Sequence, residues 1–93
     1  MEDKVFFTMV FQPIRYEIIR KLSPGTLSMS EIAKKTGFKK PILSYHLDKL
    51  EQSGIVLSRH EIQNKVAIRN ISLSKVFYDK LAMIKKLVVE LGT

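Results

Sequence analysis

The chain has 93 residues, 45% of them hydrophobic and 27% charged, and its 16 basic residues against 9 acidic ones give a formal net charge of +7 and a pI near 9.8. That size and composition fit one globular domain just large enough to bury a core. The charge points to a polyanionic partner, nucleic acid first and an anionic membrane second, with bare solubility as the bland reading. Cysteine is absent, so disulfides, thiolate metal ligands and cysteine nucleophiles are excluded, and a domain without such staples suits the cytoplasm.

Residues 3–11 read as a short helix capped by Asp3. It is apolar nearly all round, so it must be buried from at least two sides. The Val and Phe content also fits a strand. The run Val5-Phe6-Phe7-Thr8-Met9-Val10-Phe11 is too short for a transmembrane helix and lacks the basic start and cleavage site of a signal peptide. Gln12-Pro13 punctuates it. From Pro13 a second helix runs to about Leu22, with Ile14, Ile18, Ile19 and Leu22 inward and Arg15, Glu17, Arg20 and Lys21 outward. Ser23-Pro24-Gly25 is a turn, and Thr26-Leu27 is a candidate brief strand.

Residues 28–54 form the most informative stretch. Ser28 and Glu31 stand at capping-box spacing, Ile32 and Ala33 supply a buried side, and Gly37 falls where the helix must stop. Pro41 lies in the first turn of a second helix, where its missing N–H costs nothing. Leu43, Leu47, Leu50 and Gly54 recur on one face of it. The pattern is a helix-turn-helix whose second helix, about residues 40–53, is the reader. Residues 55–62 and 65–72 then read as two strands joined by a tight turn at Gln63-Asn64. Val66 and Ile68 share one face and Ala67, Arg69 and Ile71 the other. A last helix, capped by Ser72 or Ser74, runs from about residue 73 to 91, with Gly92 as its stop. Phe77, Leu81, Ile84, Val88 and Leu91 make a heptad-like seam on it, and Val76, Met83 and Leu87 a second apolar row. The fold class is mainly α (α+β), a winged helix-turn-helix with a two- or three-stranded antiparallel wing sheet.

The order of elements, the phrase Phe11-Gln12-Pro13-Ile14-Arg15, and Ser44-Tyr45-His46-Leu47-Asp48-Lys49-Leu50 running into Gly54-Ile55-Val56 resemble the ArsR-type winged-helix transcriptional regulators, most closely the small archaeal versions. The likeness covers nearly the whole chain. It implies a homodimer that binds pseudo-palindromic double-stranded DNA, with the first and last helices at the dimer interface. On that view Val5, Phe6, Met9, Val10, Phe77, Leu81, Ile84, Val88 and Leu91 face the second copy. Two apolar rows on a terminal helix also exceed what so short a chain covers alone. Relatives that sense metals do so through cysteines or through histidine and carboxylate clusters. With no cysteine and only His46 and His60, the thiolate route is closed here, and no metal or other cofactor is expected.

The DNA-reading candidates on the second helix are Lys39, Lys40, Pro41, Ser44 and Tyr45 near its start, with Lys49 as a phosphate contact. The same lysines read blandly as solvated charges. Asp48 is awkward beside phosphate: it can pair with Lys49 or Lys34, or accept from a cytosine amino group. His46 lies at the edge of the buried face and reads as a packed histidine, or else as a ligand or pH switch. On the hairpin, Arg59, His60, Gln63, Asn64 and Lys65 are candidates for the backbone or adjacent minor groove, against a merely solvated hairpin. Catalysis finds no support: no paired carboxylates stand near a histidine, and no glycine-rich phosphate loop or nucleophile elbow occurs. The expected function is a sequence-specific regulator, and a repressor by promoter occlusion. A nonspecific or architectural DNA-binding protein and a winged helix used for protein interaction are the alternatives.

Overall fold

The computed structural model describes residues 3–92. Its elements follow in the order α1 (Asp3–Phe11), α2 (Pro13–Leu22), β1 (Leu27–Ser28), α3 (Met29–Thr36), α4 (Lys40–Gln52), β2 (Val56–Gln63), β3 (Val66–Leu73) and α5 (Lys75–Leu91). The sheet is three-stranded and antiparallel in the order β1-β3-β2. This is a winged helix-turn-helix, with helices packed on one face of a small sheet.

The junction of the first two helices shows how local chemistry sets the packing. Gln12 is the N-cap of α2, its side-chain oxygen accepting from the Arg15 N–H at 2.9 Å, and Pro13 opens the helix. Arg15, expected outward, instead folds back on α1. Its Nε donates to the Met9 carbonyl at 2.6 Å and its Nη2 to that of Thr8 at 3.3 Å. Those carbonyls belong to the last turn of α1 and have no partner within it, so the guanidinium closes the helix end and meets the negative end of its dipole. Phe11 is left outside, stacked between Phe7 and Tyr16 at centroid distances of 5.7 and 5.9 Å.

The helix-turn-helix is built as its sequence signals. The Glu31 N–H donates to the Ser28 hydroxyl at 3.1 Å and the Ser28 N–H to the Glu31 carboxylate at 3.0 Å, a complete capping box. Hydrogen bonding of its carboxyl to the Ser28 backbone first, and to the Ser28 side chain second, holds Glu31 below its usual range. Gly37 closes α3 at φ 76°. Gly54 does not continue the face of α4. At φ 75° it turns the chain out of the helix: its N–H donates to the Glu51 carbonyl and that of Ile55 to the Leu50 carbonyl, both at 2.9 Å. That is a Schellman stop, completed by the apolar pair Leu50 and Ile55, both fully buried.

The hairpin turn lies one residue beyond the expected place. Its central pair is Asn64-Lys65, both at positive φ (50° and 65°), with Gln63 paired to Val66. Two positive φ values match the right-handed twist of the strands, and Asn tolerates the first. Val56 and Ser58 share the core-facing side of the sheet with Arg69 and Ile71, while Leu57 and Arg59 face out. Ser74, not Ser72, caps α5. Its hydroxyl accepts from the Phe77 N–H at 3.2 Å and donates to the Gly54 carbonyl, so the last helix starts against the end of α4.

The core draws Phe6 and Val10 from α1, Ile18, Ile19 and Leu22 from α2, Ile32 from α3, and Leu43, Leu47 and Leu50 from α4; Ile55, Val56, Ile71 and Phe77 complete it. Phe6, Val10 and Phe77, expected to face a second copy, are therefore turned into this chain's own core, with the Phe6 and Phe77 rings 5.9 Å apart. They close the gap between α1 and the first turns of α5, where the Lys80 ammonium also meets Asp3 at 2.9 Å. Met9, Leu81 and Ile84 are partly buried against that core. Val5, Val88 and Leu91 remain outside, joined by Phe7, Phe11, Met83, Leu87 and Val89.

Candidate nucleic-acid interface

The exposed side of α4 follows from its buried one. With Leu43, His46, Leu47 and Leu50 inward, Lys40, Pro41, Ile42, Tyr45, Asp48, Lys49 and Gln52 are exposed, and Ser44 is half-buried at the margin. Lys39 is the N-cap by backbone alone, since an ammonium has no acceptor for the helix N–H groups, and its side chain is exposed. The Lys49 ammonium stands 5.6 Å from the centroid of the Tyr45 ring, which is 58% exposed. A cation over an aromatic face one turn away holds both side chains on the same surface. Ile42 escaped the sequence reading. It shares this side because the buried stripe leaves it no inward position.

His46 is inside, 8% exposed, with its Nδ1 3.2 Å from Arg15 Nη1. Burial first, and the Arg15 charge second, push its pKa below the usual 6.5. The guanidinium carries only donors, so Nδ1 accepts and the ring proton sits on Nε2. This is the packed histidine of the sequence reading, and its partner is an arginine.

Asp48 has a partner that none of the sequence alternatives named. Arg69 on β3 reaches across to α4, with Nη1 3.1 Å from the Asp48 carboxylate and Nη2 3.1 Å from that of Glu51, while its Nε donates to the Ser58 hydroxyl at 3.0 Å. Arg69 and Glu51 were not recognised as site residues. The available signal was that Arg69 shares the strand face of Ile71, a charged residue on the face that turns inward.

The hairpin separates its candidates. Asn64 and Lys65 form the tip, and Gln63 lies beside it, donating to the Glu61 carboxylate at 3.3 Å. His60 pairs with Arg69 on the side toward α4, whereas Arg59 pairs with Asn70 and lies on the outer face with Glu61. Strand alternation thus parts Arg59 from α4. Lys40 and Gln63 border a common groove of about 620 Å³ between the helix-turn-helix and the hairpin, shared with Ser28, Ser30, Glu31 and Asn70. Among the described residues no group of three or more histidines and carboxylates is placed to hold a metal ion, and no helix is long and apolar enough to cross a membrane.

Residues 12–58, just over half the sequence, match the model of the bacterial regulatory protein arsR family. The chain belongs to the ArsR family. An ArsR family transcriptional regulator of solved structure is 26% identical, with a TM-score of 0.66 over 91% of this chain and 84% of that one. Reduced HlyU from Vibrio cholerae is 27% identical, with a TM-score of 0.72 over 90% of this chain and 82% of its own. The transcriptional repressor BigR from Xylella fastidiosa, at 24% identity, shares the fold with a TM-score of 0.70 over 89% and 79%. A comparison with curated proteins finds none that matches. The ArsR domain here is accordingly that of a DNA-binding transcriptional regulator, not an enzyme.

Proposed function

We propose that this ArsR-family chain is a cytoplasmic, homodimeric repressor that binds a pseudo-palindromic DNA site, with α4 in the major groove and the hairpin on the backbone or adjacent minor groove. The observation that carries the reading is the exposed N-terminal face of α4. Lys39, Lys40, Pro41 and Tyr45 are presented together, with Ser44 at their margin, beside a groove bounded by the hairpin. Lysine and serine at the start of such a helix donate to guanine acceptors or phosphate, and a tyrosine hydroxyl to phosphate or a base edge. Lys49, Lys65, Gln63, Asn64 and His60 serve as backbone and minor-groove contacts. Arg59, on the outer sheet face, reaches only the flank of the site. Repression follows from occlusion: a dimer covering two half-sites about 34 Å apart excludes other proteins from that stretch.

Homodimerisation rests on the uncovered apolar surface of α1 and α5. Phe7, Phe11, Met83, Leu87, Val88, Val89 and Leu91 stay exposed, Leu91 at 78%. So many exposed apolar side chains on the two terminal helices favour burial against a second copy. Relative to the expected interface, the set loses Phe6, Val10 and Phe77 to the core and keeps Val5, Val88 and Leu91 outright, with Met9, Leu81 and Ile84 at its margin.

Quantitative binding to a selected duplex and to random duplex at rising salt tests the reading. A specific regulator retains preference near physiological salt. The net charge of +7 favours a second reading, a nonspecific coat, for which the two duplexes would bind alike and both be lost together.

A further inference from the structure

We propose that Arg69 is a positioning residue for DNA binding: it fixes the hairpin against α4 and offsets part of the negative charge that Asp48 and Glu51 otherwise present beside the phosphates. The proposal rests on the reading of α4 and the hairpin as the DNA-binding surfaces. Three observations carry it. Arg69 is 13% exposed in its side chain, while the Asp48 and Glu51 side chains are 53% and 42% exposed. The carboxylates are therefore at the surface and the arginine lies beneath them. Its three bonds go to three different groups, Asp48, Glu51 and Ser58, which spreads one planar fork across α4 and both hairpin strands. Among the described residues, Arg69 also makes all the side-chain hydrogen bonds and ion pairs that run between the hairpin and α4.

The chemistry needs arginine. A guanidinium stays charged at any relevant pH and offers donors in fixed directions, so it meets two carboxylates and a hydroxyl at once; an ammonium is a single point. Asp48 lies on the exposed face with Pro41, Tyr45 and Gln52. Left unpaired, it and Glu51 put two negative charges next to the DNA backbone, where like charges cost affinity. The tie also sets where the tip at Asn64 and Lys65 stands relative to Lys40, hence which phosphates the two elements reach together.

The experiment is a double-mutant cycle on the full chain, read as affinity for random-sequence duplex at low salt. Arg69→Gln lowers affinity about tenfold. Asp48→Asn with Glu51→Gln changes it less than about threefold in the parent but restores most of the loss in the Arg69→Gln background. Arg69→Lys falls between. The proposal is overturned if Arg69→Gln binds like the parent, or if neutralising the carboxylates gives the same gain in both backgrounds, the result for an arginine that contacts phosphate directly. Backbone relaxation of the free protein reads the latch without DNA. Arg69→Gln increases the mobility of residues 60–69 while α4 stays ordered, and unchanged mobility removes the latch. A parent chain that binds no duplex overturns the DNA-binding reading, and with it the DNA role of Arg69, while that mobility measurement still reports on the tie itself.

Discussion

Arg15 Nη1 stands 3.2 Å from His46 Nδ1, and the same guanidinium holds the Thr8 and Met9 carbonyls. One side chain on α2 thus joins the end of α1 to the buried side of α4. The pair tolerates only a neutral imidazole, because a second proton would set two cations donor to donor.

Stability should therefore depend on pH through His46. Its native pKa is lowered, by burial first and the Arg15 charge second, from 6.5. Between that lowered value and 6.5 the unfolded chain binds the proton and the native chain does not. The contribution is present above pH 6.5 and is lost as pH falls through the native value. Denaturant titrations at about pH 7.5 and about pH 5 should show lower stability at the acid end. His46→Gln, which keeps an acceptor for Arg15, should flatten that difference.

Arg15→Met should expose the same junction from the other side. It removes the donors to two carbonyls of α1 and the partner of His46, at a cost of about 2 kcal/mol by denaturant unfolding. His46 should then titrate closer to its ordinary range, as followed by the ring-proton chemical shift.

Gly54→Ala tests the stop of α4. No atom stands within 4 Å of an added Cβ, so crowding is not at issue and the φ of 75° is. The left-handed conformation costs a residue with a side chain about 1–2 kcal/mol. The same substitution at Gly37, φ 76° with equal space, should cost a similar amount. A loss at Gly54 much larger than at Gly37 would mean that the turn into the hairpin had been displaced as well.

Leu87→Glu should leave the fold intact and abolish self-association. Leu87 is half exposed on α5, so the charge can reach water in the monomer but would be buried without a partner in a dimer. Sedimentation velocity should show one species at the dimer mass for the parent and at the monomer mass for the variant, with dissociation raised about a hundredfold or more.

Much of this architecture is written in local signals. The capping box at Ser28 and Glu31, the glycine stop at Gly37 and the leucine spacing of α4 each act within one or two turns, and all appear where the residues imply. What was not legible is tertiary. Nothing local distinguishes Phe6, Val10 and Phe77, which fill this chain's core, from Phe7, Phe11 and Leu91, which do not, because apolar periodicity marks a buried face without saying which molecule buries it. Arg15 read as solvent-facing and the role of Arg69 went unseen for the same reason: each reaches beyond its own element to satisfy groups far off in sequence. The one-residue displacement of the hairpin turn arises because Lys65 accepts a positive φ, which its residue type does not advertise.

The central claim is that a symmetric pair of α4 helices reads a specific duplex. Selection of bound DNA from a random pool tests it most directly. The account predicts enrichment of a two-fold symmetric site with half-site centres about one helical turn apart, with Lys40→Ala reducing the salt dependence of binding by about one unit of slope and Tyr45→Ala lowering affinity about tenfold. A pool that shows no enriched sequence after repeated rounds, or enriches a single asymmetric half-site bound by one copy of the chain, would contradict it.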